Sequence, residues 1–95
     1  MILVVRSDSM EPILHVGSVV IAERVEEASE LKVGAIVTCK NPDIPFTITH
    51  RIVAVTEEGF VLKGDNLELA DGVVRREWVR YKIIGGSENS VAAVF

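Results

Sequence analysis

At 95 residues the chain is long enough for one hydrophobic core and too short for two. With 48% apolar and 25% charged residues it is a folding sequence rather than a disordered one, and its net charge of −4 argues against nonspecific nucleic-acid binding, which needs a positive field. A single cysteine, Cys39, excludes an internal disulfide and a cysteine-based metal site, and the two histidines, His15 and His50, lie too far apart for a helical metal-binding pair, so neither a metal nor another cofactor is expected.

The predicted elements are short and rich in β-branched residues. In chain order they are "ILVV" at 2–5, "SVVIAERV" at 18–25, "AIVTCK" at 35–40, "FTITHRIVAV" at 46–55, "GFVLKG" at 59–64 and "EWVRYKIIG" at 77–85. Each is bounded by Gly, Pro, Asn or Asp, and runs of this length and spacing predict an all-β fold of mostly antiparallel strands in one domain, 1–95. "TEEG" at 56–59 reads as a hairpin turn, "GDNLELADGV" at 64–73 as a polar loop, and "VEEASELK" at 25–32 as a short helical turn with a solvated acidic face. None of the apolar runs approaches the ~18–20 residues of a membrane span, and no signal peptide is visible. A mean hydropathy of +0.34 is high for so small a domain and predicts some exposed apolar surface.

The longest strand alternates. Thr47, Thr49, Arg51 and Val53 share one face; Ile48, His50, Ile52 and Ala54 share the other. His50 therefore points with the apolar residues, and periodicity alone is satisfied by a hydrogen-bonded core histidine. The turn "SDSMEP" at 7–12 sets Ser9 between two β-forming runs. A serine is a weak nucleophile until a base takes its proton, and the base needs a partner that holds its tautomer. Ser9, His50 and either Asp65 or Asp71 supply those residue types. Lys63 is an alternative base that reads better as a partner for a carboxylate, and His15 reads as an exposed loop residue. Cys39 reads as a small buried residue and Trp78 as a side chain packed on the sheet or rimming a groove.

Taken together, "SDSMEPILHVGSVVI", "VGAIV", "THRIVAV" and "KGDN" followed by Asp71 resemble the type I signal peptidases, above all their archaeal and endoplasmic-reticulum branch, from about residue 4 to 85. The resemblance implies the small complex β-fold shared with self-cleaving repressors. It implies Ser9 as nucleophile, His50 as base where the bacterial branch carries lysine, and Asp65 or Asp71 as the partner of His50, with a slight preference for Asp71. A lysine there needs desolvation to free its lone pair, whereas an imidazole works near neutrality without tuning. The backbone N–H of Ser9, with the Ser7 hydroxyl, is implied as the oxyanion hole; Ser7 reads equally as a turn serine bonding its own backbone. Met10 is implied to line the substrate groove, and Glu11 and Pro12 to shape the turn. Asp8 and Leu67 depart from the family's pattern, standing where a small residue and a second asparagine are usual.

By the same resemblance the partner is a signal peptide of an exported preprotein, bound as an added strand and cut after small residues. The family works at the extracytoplasmic face of the membrane. No anchor lies in these 95 residues, so the chain alone is expected to be soluble; the full-length protein is expected at that membrane face if it carries an anchor, and the alternative is a naturally soluble relative. Two other readings stand beside this one: a soluble self-processing or regulatory peptidase of the repressor type, and a catalytically silent peptide-binding module.

Overall fold

The computed structural model describes residues 1–86. It is one seven-stranded antiparallel sheet: β1 (Ile2–Val4), β2 (Val19–Arg24), β3 (Ile36–Cys39), β4 (Ile48–Val55), β5 (Gly59–Lys63), β6 (Val73–Arg75) and β7 (Val79–Gly86). The strand order is β1-β2-β7-β3-β4-β5-β6, so the C-terminal strand of the sheet inserts between β2 and β3. The all-β expectation holds. The helical turn foreseen at 25–32 shrinks to one 3-10 turn, Ala28–Glu30, and its acidic side chains are exposed.

Two expected boundaries move. The run at 77–85 begins with a 3-10 turn, Arg76–Trp78, and pairs only from Val79. The polar loop after β5 ends at a short edge strand, β6, which had no signal beyond two valines. The hairpin at 56–59 forms as its residues predict. Thr56 N–H donates to the Gly59 carbonyl at 2.8 Å, and the Thr56 hydroxyl accepts from the amides of Glu58 and Gly59.

Because successive side chains on a strand point to opposite faces, β3 is buried on both. Val37 and Cys39 join a cluster with Ile52, Phe60, Leu62 and Val79. Ile36 turns the other way, into a second cluster with Val20, Ala22 and Ile83 that is closed by Met10 and Leu14. Those two residues come from the segment 5–18, which lies over the second face as a plug. Each fully buried aliphatic side chain contributes about 1.5–3 kcal/mol, so the plug is held by burial. The turn carrying Ser9 is thereby fixed to the sheet.

Met10 is accordingly not a groove residue. Its side chain is 2% exposed, and its sulfur accepts the Asp65 N–H at 3.3 Å. The expectation that it lines a substrate groove is corrected: the apolar residue next to Ser9 serves here to anchor the turn.

The backbones of β5 and β6 approach closely where β5 starts. A Cβ on Gly59 would lie 2.0 Å from the Val74 carbonyl oxygen, across the β5–β6 pair. Backbone cannot retreat as a flexible side chain can. Gly59→Ala is therefore expected to destabilise the fold by about 3 kcal/mol or more, read as a fall in the urea midpoint at unchanged slope.

Candidate active site

β4 positions the central residue. Its register pairs His50 with Val37 and Arg51 with Ile36, so His50 sits on the face of the first core cluster and Arg51 on the other. His50 is 7% exposed. A buried imidazole needs partners for its ring nitrogens, and Nδ1 lies 2.5 Å from Asp71 Oδ2. With Asp71 accepting, Nδ1 carries the proton and Nε2 is left with the lone pair, the tautomer a general base requires.

Asp71 reaches the ring because the loop 64–72 folds back along the sheet, its amide donating to the Leu62 carbonyl at 2.7 Å. Asp65 goes elsewhere. Both its oxygens bind Arg51, at 2.9 Å from Nε and 2.7 Å from Nη2, in a two-pronged pair that favours planar partners. Arg51 also donates to the Gly34 carbonyl at 2.8 Å, tying the loop to the turn before β3. The hydrogen bonds to Asp65 push the Arg51 guanidinium further up from its ordinary range. The two candidate aspartates thus have separate partners: one the histidine, the other the arginine beside it.

Nε2 of His50 faces Gly64. A Cβ on Gly64 would lie 3.1 Å from that nitrogen and 2.6 Å from the Ser9 carbonyl oxygen, so the missing side chain is what lets the Ser9 turn and the imidazole come together. Ser9 and Ser7 meet through their hydroxyls at 3.1 Å. The turn is closed from within by Glu11 N–H to the Asp8 carbonyl, 3.1 Å, and Leu14 N–H to the Met10 carbonyl, 2.9 Å; the Glu11–Pro12 peptide is cis.

Lys63 stands opposite Arg51 in the β4–β5 register, on the face away from His50, and its ammonium donates to the Gly64 carbonyl at 3.1 Å. His15, expected to be exposed, is half-buried. Its Nδ1 lies 2.5 Å from Glu11, whose second oxygen accepts the Val16 N–H at 3.2 Å. The spacing of four between Glu11 and His15 was the available signal for that clasp. Asn66 was also given no role from sequence, although it lies inside the quoted "KGDN"; it binds both carbonyls that flank the Ser9 α-carbon.

Cys39 lies in the core near this site. Burial, with the Asp71 charge adding, pushes its thiol up to about 11, so it stays protonated and unreactive at neutral pH. Among the described residues no cluster of three or more His, Cys, Asp or Glu side chains is arranged to hold a metal ion. No described helix is long and apolar enough to cross a membrane.

A hydroxyl pair at Ser7 and Ser9, a buried imidazole whose Nε2 meets the backbone of the Ser9 turn across Gly64, and a carboxylate on its far ring nitrogen are the residue types that acyl transfer by a serine uses. The chain is 37% identical over 86 residues to signal peptidase I W of Bacillus subtilis (strain 168), a match covering 85% of this chain and 45% of that protein. The chain spans less than half the length of this curated relative. No family model and no solved structure matches. Across most of its own length, then, the chain is similar to a signal peptidase I.

Proposed function

We propose that the chain is the catalytic portion of a serine endopeptidase of the signal peptidase I family, in the branch that uses histidine rather than lysine as base. The observation that carries the reading is the buried His50 ring, bonded through Nδ1 to Asp71 at 2.5 Å, with Nε2 and the Ser9 turn meeting across Gly64. Similarity to signal peptidase I W supports the same class of chemistry.

In this reading Ser9 Oγ attacks the scissile carbonyl carbon while His50 Nε2 takes the hydroxyl proton. The tetrahedral oxyanion is met by the Ser9 N–H and the Ser7 hydroxyl. Collapse breaks the C–N bond as His50 returns the proton to the leaving amine. Water then repeats the sequence on the acyl-enzyme, with His50 again as base. Asp71 stabilises the imidazolium throughout. The substrate is the signal peptide of a preprotein, cut after small residues, and the full-length protein acts at the extracytoplasmic face of a membrane.

An activated alanyl peptide ester tests the reading. Its carbonyl transfers to the nucleophile with loss of the alcohol, and the acyl group is located by mass spectrometry. The expected result is one acyl group on Ser9 and none in Ser9→Ala. A wild-type chain that acquires no acyl group, or acquires it elsewhere, is a binding module or a different enzyme.

A further inference from the structure

Asn66 holds the nucleophile from both sides. Its side-chain amide Nδ2 donates to the Asp8 carbonyl at 3.0 Å, and its backbone N–H donates to the Ser9 carbonyl at 2.8 Å. In a trans peptide the C=O and the following N–H point in opposite directions across a rigid plane. The Asp8–Ser9 peptide therefore has its carbonyl committed to one side, by Asn66 Nδ2 and by the Glu11 N–H. The N–H of Ser9 is directed to the other.

That N–H is the backbone donor that the proposed mechanism assigns to the oxyanion. We infer that Asn66 is a positioning residue: its side chain fixes the plane of the Asp8–Ser9 peptide and so aims the Ser9 N–H at the oxygen that becomes charged. The inference rests on the serine-peptidase reading above and adds to it a residue that touches neither substrate nor reacting atoms. A donor acts on a developing charge only when it is aimed before the reaction. A peptide plane held by one internal turn bond alone rocks more freely than one held also by a side chain from another loop.

Asn66 is exposed, and its backbone bond to Ser9 survives any side-chain change. Asn66→Ala and Asn66→Asp therefore keep the loop attached. The alanine removes a donor; the aspartate sets a carboxylate against the Asp8 carbonyl oxygen and turns attraction into repulsion.

The test uses the 95-residue chain, an alanine-ended tripeptide boronic acid and the tripeptide amide of the same sequence. On the boronate, Ser9 Oγ forms a third B–O bond, the fourth bond to boron, its proton passes to His50, and the negative charge rests on boron and its hydroxyls, one of which occupies the oxyanion position. The amide reports ground-state binding. Asn66→Ala is expected to lower kcat for peptide hydrolysis and boronate affinity together by about five- to tenfold, Asn66→Asp by more, with KM and amide affinity unchanged. Equal loss of amide and boronate affinity assigns Asn66 a merely structural role and overturns the inference. So does an unchanged kcat. A wild-type chain that forms no boronate adduct overturns the serine-peptidase reading and this inference with it. Wild-type adduct formation matched by both variants overturns the inference alone.

Discussion

Ser9→Ala and His50→Ala are each expected to lower the rate of peptide cleavage by at least ~10³-fold, because nucleophile and base act as a unit and removing either leaves only binding and oxyanion stabilisation. The assay is hydrolysis of a peptide with small residues before the cut, followed by mass spectrometry. Lys63→Ala is the control and is expected to retain most of the rate. Lys63 lies on the face of the sheet opposite to His50, and its ammonium is engaged by the Gly64 carbonyl. His50 is buried, so its loss leaves a small cavity and an unpaired Asp71; circular dichroism and the unfolding midpoint separate misfolding from lost chemistry. A dead but folded Lys63→Ala beside an active His50→Ala makes the lysine the base and defeats the Ser–His–Asp assignment.

How far the sequence foretold this arrangement differs by residue. The alternation in β4 put His50 with Ile48 and Ile52, and the structure has His50 and Ile52 buried on that face. Such local periodicity is a property of the strand itself and needs no knowledge of its neighbours. The hairpin at 56–59 was equally local, since its Thr and Gly serve a single turn. The division of labour between Asp65 and Asp71 was not legible. Both belong to one polar loop, and their partners, His50 and Arg51, are adjacent on a strand but face opposite ways. Which aspartate meets which side depends on the path of the loop over the sheet, a long-range property. Met10 failed for a related reason. A residue beside a nucleophile looks like a groove residue until the second core cluster is seen, where the plug of residues 5–18 needs a large apolar anchor. The edge strand β6 was missed because its partner, β5, supplies the pairing that three residues alone do not specify.

The loop path leads to the second large effect. Asp71→Asn is expected to lower the rate by ~10²–10⁴-fold with the fold intact, because an amide facing Nδ1 offers the wrong polarity: its NH₂ favours the ring tautomer whose Nε2 carries the proton, and no charge remains to steady the imidazolium. Asp65→Asn is expected to act differently. It weakens a two-pronged pair with Arg51 whose side chains are about one-fifth exposed, at a cost of about 1–3 kcal/mol in stability. Its effect on rate is indirect, through the loop that carries Gly64, Asn66 and Asp71. The two variants therefore separate by what falls first. Asp71→Asn loses kcat while keeping its unfolding midpoint; Asp65→Asn lowers the midpoint and loses rate by about tenfold or less at temperatures where it stays folded. The opposite pattern, an active Asp71→Asn beside a folded but dead Asp65→Asn, makes Asp65 the partner of His50 during the reaction, and requires the loop to rearrange when substrate binds. The ground state argues for the first outcome, since moving Asp65 to the ring breaks both of its bonds to Arg51 and leaves that guanidinium with the Gly34 carbonyl alone.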